Sequence, residues 1–112
     1  NNHDYWTGTV YTTTRRVWEH DERFKTYLRE TRAMAVDMET ATLFSCGFYN
    51  HIPMGALLLV SDNPMEADGI KTEASDRKVT NNFSETHVRI GIEAMRLIMD
   101  QRRTVRHLKF DW

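Results

Sequence analysis

Apolar positions along the chain alternate between strand-like and helix-like spacing. Residues 6–14 are rich in Thr, Val, Tyr and Trp and are expected to form a strand. Residues 18–32 place Trp18, Phe24, Tyr27 and Leu28 among dense charge, the pattern of an exposed amphipathic helix. Residues 33–36 are short and apolar and predict a buried strand. Residues 39–50 carry Ala41, Leu43, Phe44 and Phe48 with small residues between, which predicts a helix buried on most sides. Gly47 weakens that helix, and Pro53 forbids its extension. Residues 54–60 are nearly all apolar, as in a parallel strand covered on both faces. A loop with Pro64 and Gly69 is expected over 61–74. Residues 75–101 have the apolar spacing of one long helix or two joined ones, and the basic stretch 102–109 is expected to be exposed.

The order strand, helix, strand, helix, strand, loop, helix predicts an α/β class with mainly parallel strands. Ligands of such sheets bind outside the carboxyl ends of the strands. Tyr11, Glu39 and Asp62 fall near such ends. Three strands make a thin sheet. The chain also begins Asn1-Asn2-His3-Asp4, without Met, and enters a strand almost at once. Both features are expected of a piece of a longer protein.

Composition narrows the function classes. The 112 residues suffice for one small domain with a modest core. A net charge of −1 gives no electrostatic case for nucleic acid or an anionic membrane. The apolar runs are far shorter than the ~20 residues of a membrane helix. Cys46 is the single cysteine, so no internal disulfide can form, and a reducing cytoplasm is the expected setting. On its apolar helix Cys46 reads as a buried small residue. The five histidines show no metal-ligand spacing, and no Gly-rich phosphate loop is present, so neither a metal nor an organic cofactor is expected.

The candidate chemistry lies at the segment ends. Asp62 follows the apolar run in Ser61-Asp62-Asn63-Pro64, which is also turn chemistry. Its alternative role is general acid, since partial burial at a pocket rim favours a protonated carboxyl. Glu39 fits either the first helical turn, where the dipole favours acid, or a bidentate acceptor for a sugar diol. Met38 is its apolar neighbour. Tyr11 is either a packing ring or a platform for a base. Thr12, Thr13 and Thr14 with Arg15 and Arg16 are either strand and surface residues or donors to a phosphate. Lys71 and Arg77 are either solvated charges or partners of Asp62.

Gly8-Thr9-Val10-Tyr11-Thr12-Thr13, Val36-Asp37-Met38-Glu39-Thr40-Ala41 and Val60-Ser61-Asp62-Asn63, three elements in order, resemble the nucleoside phosphorylase and nucleosidase superfamily. Within it, these segments with Ile70-Lys71 look like those of bacterial AMP nucleosidases, over about residues 6–100. Asp37 stands where many phosphorylases have Glu, and Tyr11 where relatives often have Phe. The resemblance implies a three-layer α/β/α fold with a mixed, mainly parallel central sheet. Residues 1–112 would be the C-terminal portion of that single catalytic domain, inactive alone, because the phosphate-binding arginines and the group orienting water lie upstream in the family. It further implies that Tyr11 stacks near the purine with Thr12 close by, that Met38 packs on the ribose, that Glu39 binds ribose hydroxyls, and that Asp62 protonates purine N7. Asp37 and Ser61 join the substrate-binding set, and Arg77 or Lys71 helps to position Asp62. The implied reaction is hydrolysis of AMP to adenine and ribose 5-phosphate. Phosphorolysis of a purine nucleoside or uridine, with phosphate as nucleophile, is the alternative, and a non-catalytic nucleotide-binding module is a third. A homo-oligomer, a hexamer in many relatives, is implied, with Tyr5, Trp6 and Trp18 available for an interface.

Overall fold

A computed structural model describes residues 5–66 and 72–101 of the chain. The expected basic stretch 102–109, Gly69 and Lys71 lie outside the described residues. The chain divides into two compact units, Asn1–Leu43 and Phe44–Trp112.

The first unit is built around a strand, a helix and a second strand. β1 (Val10–Thr12) pairs in parallel with β2 (Ala35–Asp37), in the register Val10↔Ala35, Tyr11↔Val36 and Thr12↔Asp37. Met34 N–H to Thr9 O and Thr13 N–H to Asp37 O extend the ladder at both ends, each 2.8 Å. Parallel neighbours need a crossover, and α1 (Glu22–Glu30) lies in it. The Met34 side chain lies over Gly8, where a Cβ would fall 1.9 Å from Met34 Sδ and 2.7 Å from its Cγ, so a larger residue there would displace that half-exposed side chain.

α1 begins four residues later than the spacing of apolar positions predicts, because Asp21 caps it. The Asp21 carboxylate accepts from Phe24 N–H at 3.0 Å and from Arg15 Nη1 at 2.6 Å. The Phe24 amide first, and then the Arg15 guanidinium, hold the Asp21 carboxyl below its usual range. Glu22 in the first turn and Arg29 in the last complement the helix dipole. Among the described residues, Leu28 and Trp18 are the buried large apolar side chains. The ring of Trp18 meets Phe24 edge-on at 5.4 Å, and Phe24 and Tyr27 meet Tyr11 edge-on at 5.4 and 5.8 Å. Trp18, expected at an interface, thus belongs to this small core, whereas Tyr5 and Trp6 are exposed.

α2 (Thr40–Tyr49) follows β2 directly. Both short helices end in the same hydrogen-bonded turn. In α1, Ala33 N–H reaches Leu28 O and Arg32 N–H reaches Arg29 O; in α2, Ile52 N–H reaches Gly47 O and His51 N–H reaches Phe48 O. This is the Schellman arrangement, which requires a left-handed residue after the cap. Here Arg32 (φ 53°) and His51 (φ 58°) occupy that position rather than glycine. A side chain in this conformation is strained. Arg32→Gly is therefore expected to raise stability by up to about 1 kcal/mol, net of glycine's extra entropy, as read from a denaturant midpoint.

The second unit departs most from expectation. Residues 54–60 form neither strand nor helix, and Leu57, Leu58, Leu59 and Val60 are 47, 41, 39 and 65% exposed. The expected third strand, covered on both faces, is not formed: the run finds no ladder partner among the described residues, and a strand exists only through its partner. The first expected strand, residues 6–14, shrinks to Val10–Thr12 for the same reason, since the pairing with β2 is that short. α2, expected to be buried on most sides, exposes Leu43, Phe44 and Phe48, and Cys46 is exposed with them. α3 (Glu73–Gln101) is one continuous helix of 29 residues. Arg77–Glu73, Arg89–Glu85 and Arg96–Glu93 ion pairs run along it. Acid precedes base at helical spacing in each, but exposed pairs of this kind contribute only about 0.3–0.5 kcal/mol. No described helix is long and apolar enough to cross a membrane. The α/β class stands, with three helices and a small parallel sheet among the described residues.

Candidate functional site

The end of β1, the end of β2 and the start of α2 converge on one polar cluster. A helix leaves four N-terminal amides without intrahelical partners. For α2 these belong to Glu39, Thr40, Ala41 and Thr42, since Leu43 N–H already bonds Glu39 O at 3.1 Å. Asp37 Oδ2 accepts from Glu39 N–H at 3.3 Å and from Thr40 N–H at 2.7 Å. Thr12 Oγ1 accepts from Ala41 N–H at 3.0 Å. Side chains therefore satisfy three of the four. The Thr40 hydroxyl also donates to Asp37 Oδ2, and the Thr12 hydroxyl donates to Asp37 Oδ1 at 2.7 Å.

The charge of Asp37 follows from this arrangement. Desolvation raises its pKa. Hydrogen bonds from the Thr40 and Thr12 hydroxyls and from the Thr40 and Glu39 amides lower it, and together they prevail. Asp37 is held as a carboxylate, with the positive end of α2 in front of it. Sequence reasoning set Asp37 and Thr12 beside a ligand and overlooked Thr40. The signal was there: Asp three residues ahead of Thr40, at a strand-to-helix junction, is a helix-start pattern.

Glu39 is exposed and sits on the first turn this cluster fixes; Met38 beside it is 42% exposed. The ring of Tyr11 is half-buried and braced edge-on by Phe24 and Tyr27. Of the hydroxyls and cations at 12–16 that a phosphate could engage, Thr12, Thr13 and Arg15 have partners within the chain. Thr13 is buried and accepts from Arg15 N–H at 3.0 Å, while Arg15 pairs with Asp21 and lies over the Phe24 ring at 5.6 Å. Arg15, a candidate phosphate donor by sequence, also lines an open depression of about 480 Å³ with Val17, Trp18, His20, Asp21, Glu22 and Arg23.

Ser61 and Asp62 are both half-buried at the end of the apolar run, and the Ser61 hydroxyl donates to Asp62 Oδ1. Asn63 closes the turn that follows, accepting from Met65 N–H at its side chain and from Glu66 N–H at its carbonyl, each at 3.2 Å. Arg77, expected to help position Asp62, forms an exposed ion pair with Glu73 one helical turn away. Lys71 lies outside the described residues. Among the described residues, no group of three or more His, Cys, Asp or Glu side chains is arranged to hold a metal ion.

The family model described as Phosphorylase superfamily matches residues 1–96. AMP nucleosidase of Escherichia coli (strain K12) is 37% identical over 93 residues, which is 82% of this chain and 19% of that protein. AMP nucleosidase of Escherichia coli O157:H7 matches to the same extent. The chain thus spans about a fifth of the length of these curated relatives. No solved structure matches.

Proposed function

The chain belongs to the phosphorylase superfamily, and from that premise we propose that it forms part of an N-glycosidase that hydrolyses AMP to adenine and ribose 5-phosphate. The observation that carries this reading is the similarity to AMP nucleosidases along most of the chain. In this reading the chain is the C-terminal portion of a three-layer α/β/α catalytic domain that works as a homo-oligomer.

Asp62 gives its proton to purine N7 as the C1′–N9 bond breaks. The bond's electron pair leaves with the adenine, and an oxocarbenium-like ribosyl group remains. Water adds at C1′, and the proton that water loses restores the acid. Ser61 supports this assignment, because its hydroxyl holds one oxygen of Asp62 and orients the other. Glu39 accepts from the ribose hydroxyls, and its exposure at a rigid helix start suits that task. Met38 packs against the sugar and Tyr11 against the base. Lys71 and Arg77 supply positive charge on the segment that follows Asp62.

The deciding measurement is adenine release from AMP and from adenosine by the full-length gene product, with and without phosphate. Release from AMP without phosphate is expected. Release from adenosine only in the presence of phosphate would assign phosphorolysis instead, and purine binding without release would leave a binding module. Glu39→Gln is expected to narrow the preference for ribose over 2′-deoxyribose substrates by roughly tenfold or more, the scale of a hydrogen bond to a charged group. An unchanged preference, read as a ratio of kcat/KM values, would remove Glu39 from the ribose contact.

A further inference from the structure

Thr12 and Asp37 have little left to offer a ligand. A hydroxyl has one proton, and that of Thr12 goes to Asp37 Oδ1 while its oxygen takes the Ala41 amide. Asp37 Oδ2 takes the amides of Glu39 and Thr40 and the Thr40 hydroxyl. Both residues sit on the last rung of the β1–β2 ladder, which Thr13 N–H to Asp37 O locks from the other side. Between them they grip three consecutive residues, Glu39, Thr40 and Ala41. Glu39 is pinned at its N–H by Asp37 and at its C=O by Leu43, and only its side chain is free to project.

Resting on the reading of Glu39 as the ribose acceptor, we infer that Thr12 and Asp37 are positioning residues for Glu39, which set the discrimination between ribose and 2′-deoxyribose without touching the substrate. The physical reason is rigidity. A carboxylate grips a hydroxyl only at hydrogen-bond distance, and a displacement of about 1 Å can cost a hundredfold in rate. The first turn of α2 would otherwise have free amides and freedom to fray. Here it is tied to the end of a strand pair through two side chains on two different strands. Asp37 is also held ionised by the donors around it, so the tie persists at neutral pH.

The test is the ratio of kcat/KM for AMP to that for 2′-deoxy-AMP, measured on the full-length gene product carrying Thr12→Val, Thr12→Ser, Asp37→Asn, Glu39→Gln, or Thr12→Val with Glu39→Gln. Thr12→Val keeps the shape and removes the hydroxyl. It is expected to lower the ratio about tenfold, with the loss concentrated on AMP, whereas Thr12→Ser keeps the ratio near that of the parent. The double variant is expected to match Glu39→Gln alone, because a residue acting through Glu39 has nothing to lose once Glu39 cannot act. Should Thr12→Val fail to fold, Asp37→Asn carries the same comparison, since it keeps the shape of Asp37 and weakens its grip. Losses that add in the double variant would mean that Thr12 contacts substrate itself. Equal losses on both substrates, or an unchanged ratio in folded Thr12→Val or Asp37→Asn, would also overturn the inference. Failure of the underlying reading looks different: Glu39→Gln itself then leaves the ratio unchanged.

Discussion

Asp62→Asn in the full-length gene product is expected to lower adenine release from AMP by about 10²–10⁴-fold, the range spanned by general acid catalysis. The substitution keeps the size of the side chain and an oxygen able to accept from Ser61, which donates to Asp62 Oδ1. It removes the transferable proton, because an amide can offer a hydrogen bond to N7 but cannot protonate it. The loss should appear in kcat with little change in KM, since the proton moves only as the glycosidic bond breaks. The turn at Asn63 closes through its own side chain and carbonyl, so folding should be preserved. An unaltered denaturation midpoint with a slowed kcat is the expected pair of results. Near-normal turnover in a folded Asp62→Asn protein would show that some other group delivers the proton.

Asp37→Ala is expected to destabilise the protein by about 1–3 kcal/mol, the sum of a lost helix cap and a lost part-buried hydrogen bond. Its carboxylate accepts from two amides and two hydroxyls, and the Thr12 hydroxyl loses its acceptor with it. The pH dependence has a definite sign. The folded-state pKa of Asp37 lies below the ordinary 3.8, because hydrogen bonds to the carboxylate outweigh its desolvation. A depressed pKa contributes stability above the unfolded-state value, and this is lost as pH falls through the folded-state value. The difference in stability between parent and Asp37→Ala should be flat from neutral pH to about pH 5 and shrink only below about pH 4. Denaturant titrations at several pH values measure it. A difference under about 0.5 kcal/mol at neutral pH would mean that water replaces the carboxylate at the helix start at little cost.

Local chemistry was legible in the amino-acid order. The alternation of strand-like and helix-like segments gives the α/β class because side-chain periods are a property of each segment alone. Pro53 falls just beyond the end of α2 at Tyr49, as its missing N–H requires. Asp21 and Asp37 mark the starts of α1 and α2 by chemistry that acts over two or three residues. The three segments that carry the family resemblance are equally local, and the superfamily match bears them out.

Pairing and burial were decided by the tertiary structure, since they depend on what lies opposite. Residues 54–60 have the apolar composition of a central strand, yet without a ladder partner among the described residues they form none, and their side chains are exposed. Trp18 reads as a surface aromatic from its charged neighbours and is buried, because Phe24 on the next turn of chain meets it edge-on. Thr12 and Asp37 stand 25 residues apart, and nothing in their spacing announces a hydrogen bond. Only the parallel register of β1 and β2 sets them on the same rung, where a hydroxyl with one proton and a carboxylate with several acceptor sites satisfy the start of a helix together.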